Sequence, residues 1–313
     1  MNPTLDALAR GRLKLTTAPP GSIPLLSILV ISLLFAAAPS AAAESRAPRI
    51  LIDAGHHNFH TAEGRYAPLV KLLQQSAFMV DSSTSALTSE ILQSADVVVI
   101  ANALHVSNVD RWQQPVEAAF SAGEIALLTE WVADGGSLLL IADHFPFPGA
   151  ITTLAEAFGF RFVNGFALRS DLASIDVFAI DAGSLRRHEH ITGTDLKPPV
   201  AQIAAFTGSA FEGPPTAQPL MVLSDVYEMW MPSRAWEFLA DTPRRPGVGL
   251  LQGATLLHGK GRVAVFAEAA MFTSQTAPED PQTLIGFNAP NARDNRLFVI
   301  NLFRWLTSSV NLR

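Results

Sequence analysis

The sequence contains no cysteine. That excludes disulfides, a lipid-anchored lipoprotein cut, thiolate metal sites and any cysteine nucleophile. Gly-x-Gly-x-x-Gly, a Gly-Lys-Ser/Thr phosphate loop and a Gly-x-Ser-x-Gly elbow are also missing, which disfavours nucleotide cofactors and α/β-hydrolase chemistry. There is no His-Glu-x-x-His zinc helix either. Positive charge is scarce: 22 Lys and Arg stand against 28 Asp and Glu, for a net charge of -6. Such a balance argues against nucleic acid as a partner and against adhesion to an anionic membrane surface.

What is present is a globular composition, 49% hydrophobic and 16% charged over 313 residues. The length fits one large α/β domain or two small ones. Residues 1–43 read as a targeting segment. Arg10, Arg12 and Lys14 precede an uncharged, mostly apolar run of 16 residues, Ile23 to Ala38. Ala41-Ala42-Ala43 then supplies small residues for a signal-peptidase cut before Glu44. The alternative is an uncleaved anchor, which would be the only membrane contact; the run is somewhat short for a full span. Cleavage predicts an exported protein, periplasmic or secreted. Taking Arg10, Arg12, Lys14 and Asp6 from the totals leaves 19 basic and 27 acidic side chains, a net charge near -8.

From residue 44 onward, short β-branched runs alternate with helical patterns. Arg49 to Asp53 (RILID), Ala77 to Asp81, Asp96 to Asn102 (DVVVIAN), Ser137 to Asp143 (SLLLIAD), Phe160 to Val163 and Gly261 to Glu268 (GRVAVFAE) read as strands. The continuous apolar runs are of the kind buried on both faces of a parallel sheet. Helices are expected over 63–75, 87–93, 121–133, 151–158 and 295–306, and Ser121 with Glu124 has the spacing of a capping box. Residues 164–247 are punctuated by proline and read as an irregular insertion with a strand at Pro219 to Leu223. Strand–helix alternation predicts a doubly wound, mostly parallel sheet with helices on both faces, a flavodoxin-like three-layer α/β domain over 44–313.

The polar residues cluster where those strands end. Asp53 is followed by His56, His57 and His60; Asn102 by His105; Asp143 by His144; and Glu268 closes the last strand. Open parallel sheets bind ligands outside the carboxyl ends of their strands. Asp53, His56, His57, His60, Asn102, Asp143, His144 and Glu268 are therefore the candidate ligand-binding set, with His57, Asp143, His144 and Glu268 as catalytic candidates. His56, His57, His60, Asp143 and His144 offer a mixed nitrogen–oxygen donor set for a divalent transition metal such as zinc, manganese or iron. The plainer alternative is a network in which imidazoles hydrogen-bond the strand-end carboxylates and fix the loops. Arg186-Arg187-His188-Glu189-His190 is either a solvated loop or a segment folded over this edge.

Taken together, RILIDAGHHNFH, ADVVVIAN, SAGEIALLTEWVADGGSLLLIADH, GKGRVAVFAEAAMFTSQ and NRLFVINLFRWL resemble the class I glutamine amidotransferase-like superfamily. The resemblance extends to its exported branch, related to gliding-motility transporter accessory domains, and covers residues 48–163 and 248–308. It identifies fold better than activity. Amidotransferases of this class carry a cysteine on the turn after a strand; the corresponding turn here holds Asp143 and His144. The resemblance thus implies a domain without glutaminase activity that binds a small ligand, a sugar or an envelope protein. The alternative is a metal-assisted hydrolase or lyase using the His/Asp/Glu edge.

Overall fold

The structure is a computed structural model that describes residues 46–171, 175–193, 195–277 and 280–308. The leader expected over 1–43 lies outside the described residues. Among the described residues no helix is long and apolar enough to cross a membrane.

Among the described residues sixteen strands and six α-helices follow one another. The first half alternates as the sequence predicts: β1 (Arg49–Asp53), α1 (Ala67–Gln75), β2 (Met79–Ser83), α2 (Ser89–Gln93), β3 (Val97–Ala101), α3 (Ala122–Ala133), β4 (Ser137–Ile141), α4 (Phe147–Ala150), α5 (Thr152–Ala157) and β5 (Arg161–Val163). Short strands follow: β6 (Phe166–Arg169), β7 (Asp176–Ala179), β8 (Gln202–Ala205), β9 (Ala210–Glu212), β10 (Gln218–Val222), β11 (Tyr227–Trp230) and β12 (Arg244–Pro246). The chain closes with β13 (Leu251–His258), β14 (Gly261–Phe266), β15 (Ser274–Thr276), β16 (Leu284–Gly286) and α6 (Asn295–Thr307).

The main sheet has nine strands in the order β2-β1-β3-β4-β14-β13-β9-β5, with β10 also on β13. From β2 to β14 every pairing is parallel; β13, β9, β10 and β5 join antiparallel. Alternate side chains of the central strands face opposite layers. Val97, Val99 and Ala101 of β3 pack with Leu69 and Leu73 of α1 and Phe298 and Leu302 of α6. Val98 and Ile100 pack on the other side with Leu128 and Val132 of α3 and Leu154 of α5. Helices cover both faces, which is why these strands are apolar at every position. The protein is a three-layer, doubly wound α/β domain with a mostly parallel central sheet.

Three expectations shift. The 63–75 helix starts only at Ala67, because Pro68 lacks the N–H an earlier start would need. The 164–247 segment is not irregular: it contributes seven strands, two of them to the main sheet. β13 escapes the periodicity reading because Gln252 and Gly253 interrupt its apolar run; a Cβ on Gly253 would sit 2.8 Å from the Phe266 ring. Helix α3 is as expected: the Ser121 hydroxyl accepts from the Glu124 N–H and the Glu124 carboxylate accepts from the Ser121 N–H.

Candidate functional site

Parallel register sets the site. Ala101 pairs with Ile141 and Ile141 with Phe266, so β3, β4 and β14 end side by side. The ladder runs one step further, with the Asn102 N–H on Ile141 O and the Ala142 N–H on Phe266 O. Asn102 then turns into the left-handed region, at φ 51°, a conformation asparagine tolerates better than most residues. Its side chain is fully buried. The Oδ1 accepts from the Asp143 N–H at 2.8 Å, so Nδ2 faces His60 Nδ1 at 3.1 Å and must donate. His60 therefore accepts at Nδ1 and carries its proton on Nε2. Burial, reinforced by the charges of Arg65 and His144, pushes the His60 pKa down to about 3, so the ring is neutral.

Asp143 and Glu268 lie on neighbouring strand ends, both buried. Asp143 accepts from the His144 N–H at 2.8 Å and from the Ala269 N–H. Glu268 accepts from the N–H groups of Ala270 and Met271, each at 2.8 Å, and so closes the short turn 270–272. Burial raises the pKa of both acids, and for Glu268 the Asp143 charge adds to it. Gly208, at φ 112°, permits this approach: a Cβ there would meet Ala267 O at 2.4 Å and Glu268 Cβ at 3.2 Å. Tyr66, fully buried, reaches Ala269 O with its hydroxyl at 3.4 Å and has its own pKa raised by burial first and then by both acids. From the insertion, Asp176 adds its charge to this group; burial raises it to about 6 although the Tyr227 hydroxyl donates to it at 2.7 Å. The arrangement favours the protonated form of these carboxyls more than water does.

The β1 loop is a separate, saturated network. His56 Nδ1 lies 2.9 Å from one Asp53 oxygen and 3.1 Å from the other, and its Nε2 lies 2.9 Å from Glu124 Oε1 on α3. Phe120 covers the ring at 4.0 Å between centroids. Burial alone would lower the His56 pKa, but its bonds to Asp53 and Glu124 and their charges outweigh it and raise it. Asn58 ties the same Asp53 to the Ala101 carbonyl. His57, at φ 48°, is exposed and makes no side-chain hydrogen bond among the described residues. His105 caps a short turn through the Ser107 N–H.

His144 stands between the acids and the surface. Its Nδ1 donates to the Phe145 carbonyl at 2.8 Å, and its Nε2 has no hydrogen-bond partner among the described residues. The ring stacks on Phe166 with centroids 4.7 Å apart and planes 8° from parallel, and Trp236 meets it edge-on at 4.7 Å. Trp112 and Phe147 complete the aromatic surround. Residues 111–114 and 233–235 pair through the Gln114 N–H on Ser233 O and the Ala235 N–H on Trp112 O, both 2.8 Å. Between them opens a recess of about 630 Å³.

Asn102, His60, Asp143, Glu268 and His144 thus come together, Asp53 and His56 form an adjoining brace, and His57 joins neither. The five candidate metal donors do not make one ligand set: both His56 nitrogens are engaged and His60 Nδ1 is taken. Among the described residues no group of three His, Cys, Asp or Glu is arranged to hold a metal ion. The Arg186–His190 stretch does not fold over this edge. His188 packs against Trp305, which also lies under Arg262 at the start of β14, and the neighbouring Leu306 carbonyl bonds Ser137 at the start of β4. That is the amino edge of the sheet. Sequence reasoning missed Tyr66, Trp112, Glu124, Phe166, Asp176 and Trp236; the density of Trp230, Trp236 and Phe238 in a proline-rich segment was the available signal.

The chain matches no protein-family model and no curated protein. Among solved structures it is similar to the mmIFT52 N-terminal domain, at 16% identity and a TM-score of 0.58, over 83% of this chain and 98% of that one. The cytoplasmic protein STM1381 from Salmonella typhimurium LT2 is similar at 17% identity and TM-score 0.49, over 83% and 100% of the two chains. A thua-like protein from Bacteroides uniformis is similar at 13% identity and TM-score 0.46, over 85% and 94%. At such identities the likeness is one of fold.

Proposed function

We propose that this chain is an exported glutamine amidotransferase-like domain without glutaminase activity that binds a small ligand at the carboxyl edge of its sheet. The observation that carries this reading is the turn after β4. Where a nucleophile would stand, Asp143 is buried on backbone amides, and His144, bonded through Nδ1, packs against Trp112 and Trp236, two rings that line the recess between 109–113 and 234–236. A half-buried imidazole bonded through one nitrogen, with the other unpartnered among the described residues, is suited to receive a ligand hydrogen bond. A sugar or the edge of an envelope protein are further occupants of the same chemistry. The metal-assisted hydrolase or lyase has no fitting ligand set among the described residues.

Two measurements check the reading. Incubation with glutamine is expected to release no ammonia above the buffer rate, because no thiolate is present; release that survives D143A and H144A would show that the nucleophile lies elsewhere. Mass spectrometry of the protein from its native host is expected to find a chain beginning near Glu44. An intact leader on a cytoplasmic protein would remove the export half of the proposal.

A further inference from the structure

The recess lined by Trp112 and Trp236 opposes the charge of the chain as a whole. The protein carries six more acids than bases, yet the recess walls hold Arg111 and Arg234 against the single acid Asp110. Arg111 is exposed, and its guanidinium has no partner among the described residues. Arg234 is paired with Glu237 through Nε at 3.3 Å, and a guanidinium has five N–H donors, more than one carboxylate can use. Beside the two cations stand Trp112 and Trp236. Trp236 is held at φ 67° with 55% of its surface in water. A bulky residue in the left-handed region costs free energy, and an indole left largely exposed recovers little of it by burial. Such strain is common where a side chain is presented to a ligand. The loop keeps the conformation through the Ala235–Trp112 backbone bond and the contacts of the indole with His144 and Phe166.

We infer that this recess binds a small carboxylate with a ring body, the ring lying against Trp112 and Trp236 and the carboxylate on Arg111 and Arg234. This rests on the small-ligand reading above and names its chemical class. Flat rings pair with indoles by offset or edge contacts. A guanidinium fork matches the two oxygens of a carboxylate, and charge-assisted bonds of this kind are among the stronger ones. Asp110 and the Glu237 partner of Arg234 already offset part of the positive charge, so one further negative charge suits the pair better than a dianion, and a neutral sugar would leave Arg111 without an anion.

Calorimetric titration of the full chain with benzoate, benzamide and methyl β-glucoside tests the assignment, with tryptophan fluorescence as a second readout. Benzoate is expected to bind, more weakly as salt is raised, and benzamide about tenfold more weakly than benzoate. R111A is expected to weaken benzoate by about tenfold and leave benzamide unchanged; the side chain is exposed and unbonded, so the variant should fold. W236A should weaken both. Equal affinities for benzoate and benzamide, or an R111A titration like wild type, would overturn the carboxylate assignment while leaving a ligand recess in place. So would W236A-sensitive binding of methyl β-glucoside with no response to benzoate. Silence towards all three probes in both readouts would overturn this assignment together with the small-ligand reading beneath it.

Discussion

Asn102→Ala is expected to lower folding stability by about 3–5 kcal/mol, the sum of two orphaned buried groups and a strained backbone. The alanine would strand the Asp143 N–H and His60 Nδ1, both buried and both now satisfied by one side chain. It would also sit at φ 51°, where alanine is less at ease than asparagine. Asn102→Gly separates the two causes. It removes the same bonds but relieves the backbone, so it should be less damaging than alanine by about 1 kcal/mol. Asn102→Asp separates a third. It keeps an acceptor for the Asp143 N–H but turns a carboxylate towards the Nδ1 lone pair of His60 and adds a third acid beside Asp143 and Glu268. Its loss should be large at neutral pH and shrink on acidification. Chemical denaturation of the three variants checks the order. Equal midpoints for wild type and N102A would mean that Asn102 does not hold the strand ends together.

Much of this edge was legible because period and position carry physical meaning. Runs such as VVVIA and SLLLI admit only a strand covered on both faces, and parallel register then places their final residues in a row. That reasoning reached Asp53, Asn102, Asp143 and Glu268 without coordinates. What it could not assign was the state of each group, because state depends on partners from elsewhere in the chain. His56 and His60 look alike in the sequence, yet one bridges two carboxylates and the other is buried and accepts from an amide. Glu124 served the sequence reading as a capping residue only; it does cap α3, and its Oε1 also reaches His56, 68 residues away. The aromatic roof was illegible for a different reason. Trp112 and Trp236 belong to loops whose pairing no periodicity announces, and tertiary contacts alone bring them over His144.

The brace at His56 should give the stability of the protein a pH signature of its own. His56→Gln is expected to cost about 3 kcal/mol near pH 6, since removing one member of a buried charged group leaves its partners poorly paired. The dependence on pH follows from the two shifts. In the folded protein His56 holds its proton more tightly than a free imidazole does. Its contribution is therefore complete below the unfolded pKa, near 6.5, and is lost as pH rises through the higher folded value. Glu124 runs the other way: burial opposes ionisation, but its bonds from Ser121 and His56 prevail and hold its pKa below the usual carboxylate range. Its contribution is present above the ordinary carboxylate pKa and lost as pH falls through the depressed one. The difference in stability between wild type and H56Q should accordingly form a plateau between about pH 5 and 6.5 and decline on both sides. Asp143, Glu268 and Asp176, whose pKa values are raised, also favour the folded state at low pH and penalise it as pH rises. They act alike in wild type and variant, so subtraction cancels them. Urea midpoints from pH 4 to 9 for both proteins supply the measurement. A difference that stays flat across that range would mean His56 is neutral in the fold, joined to its two carboxylates by no more than one ordinary hydrogen bond.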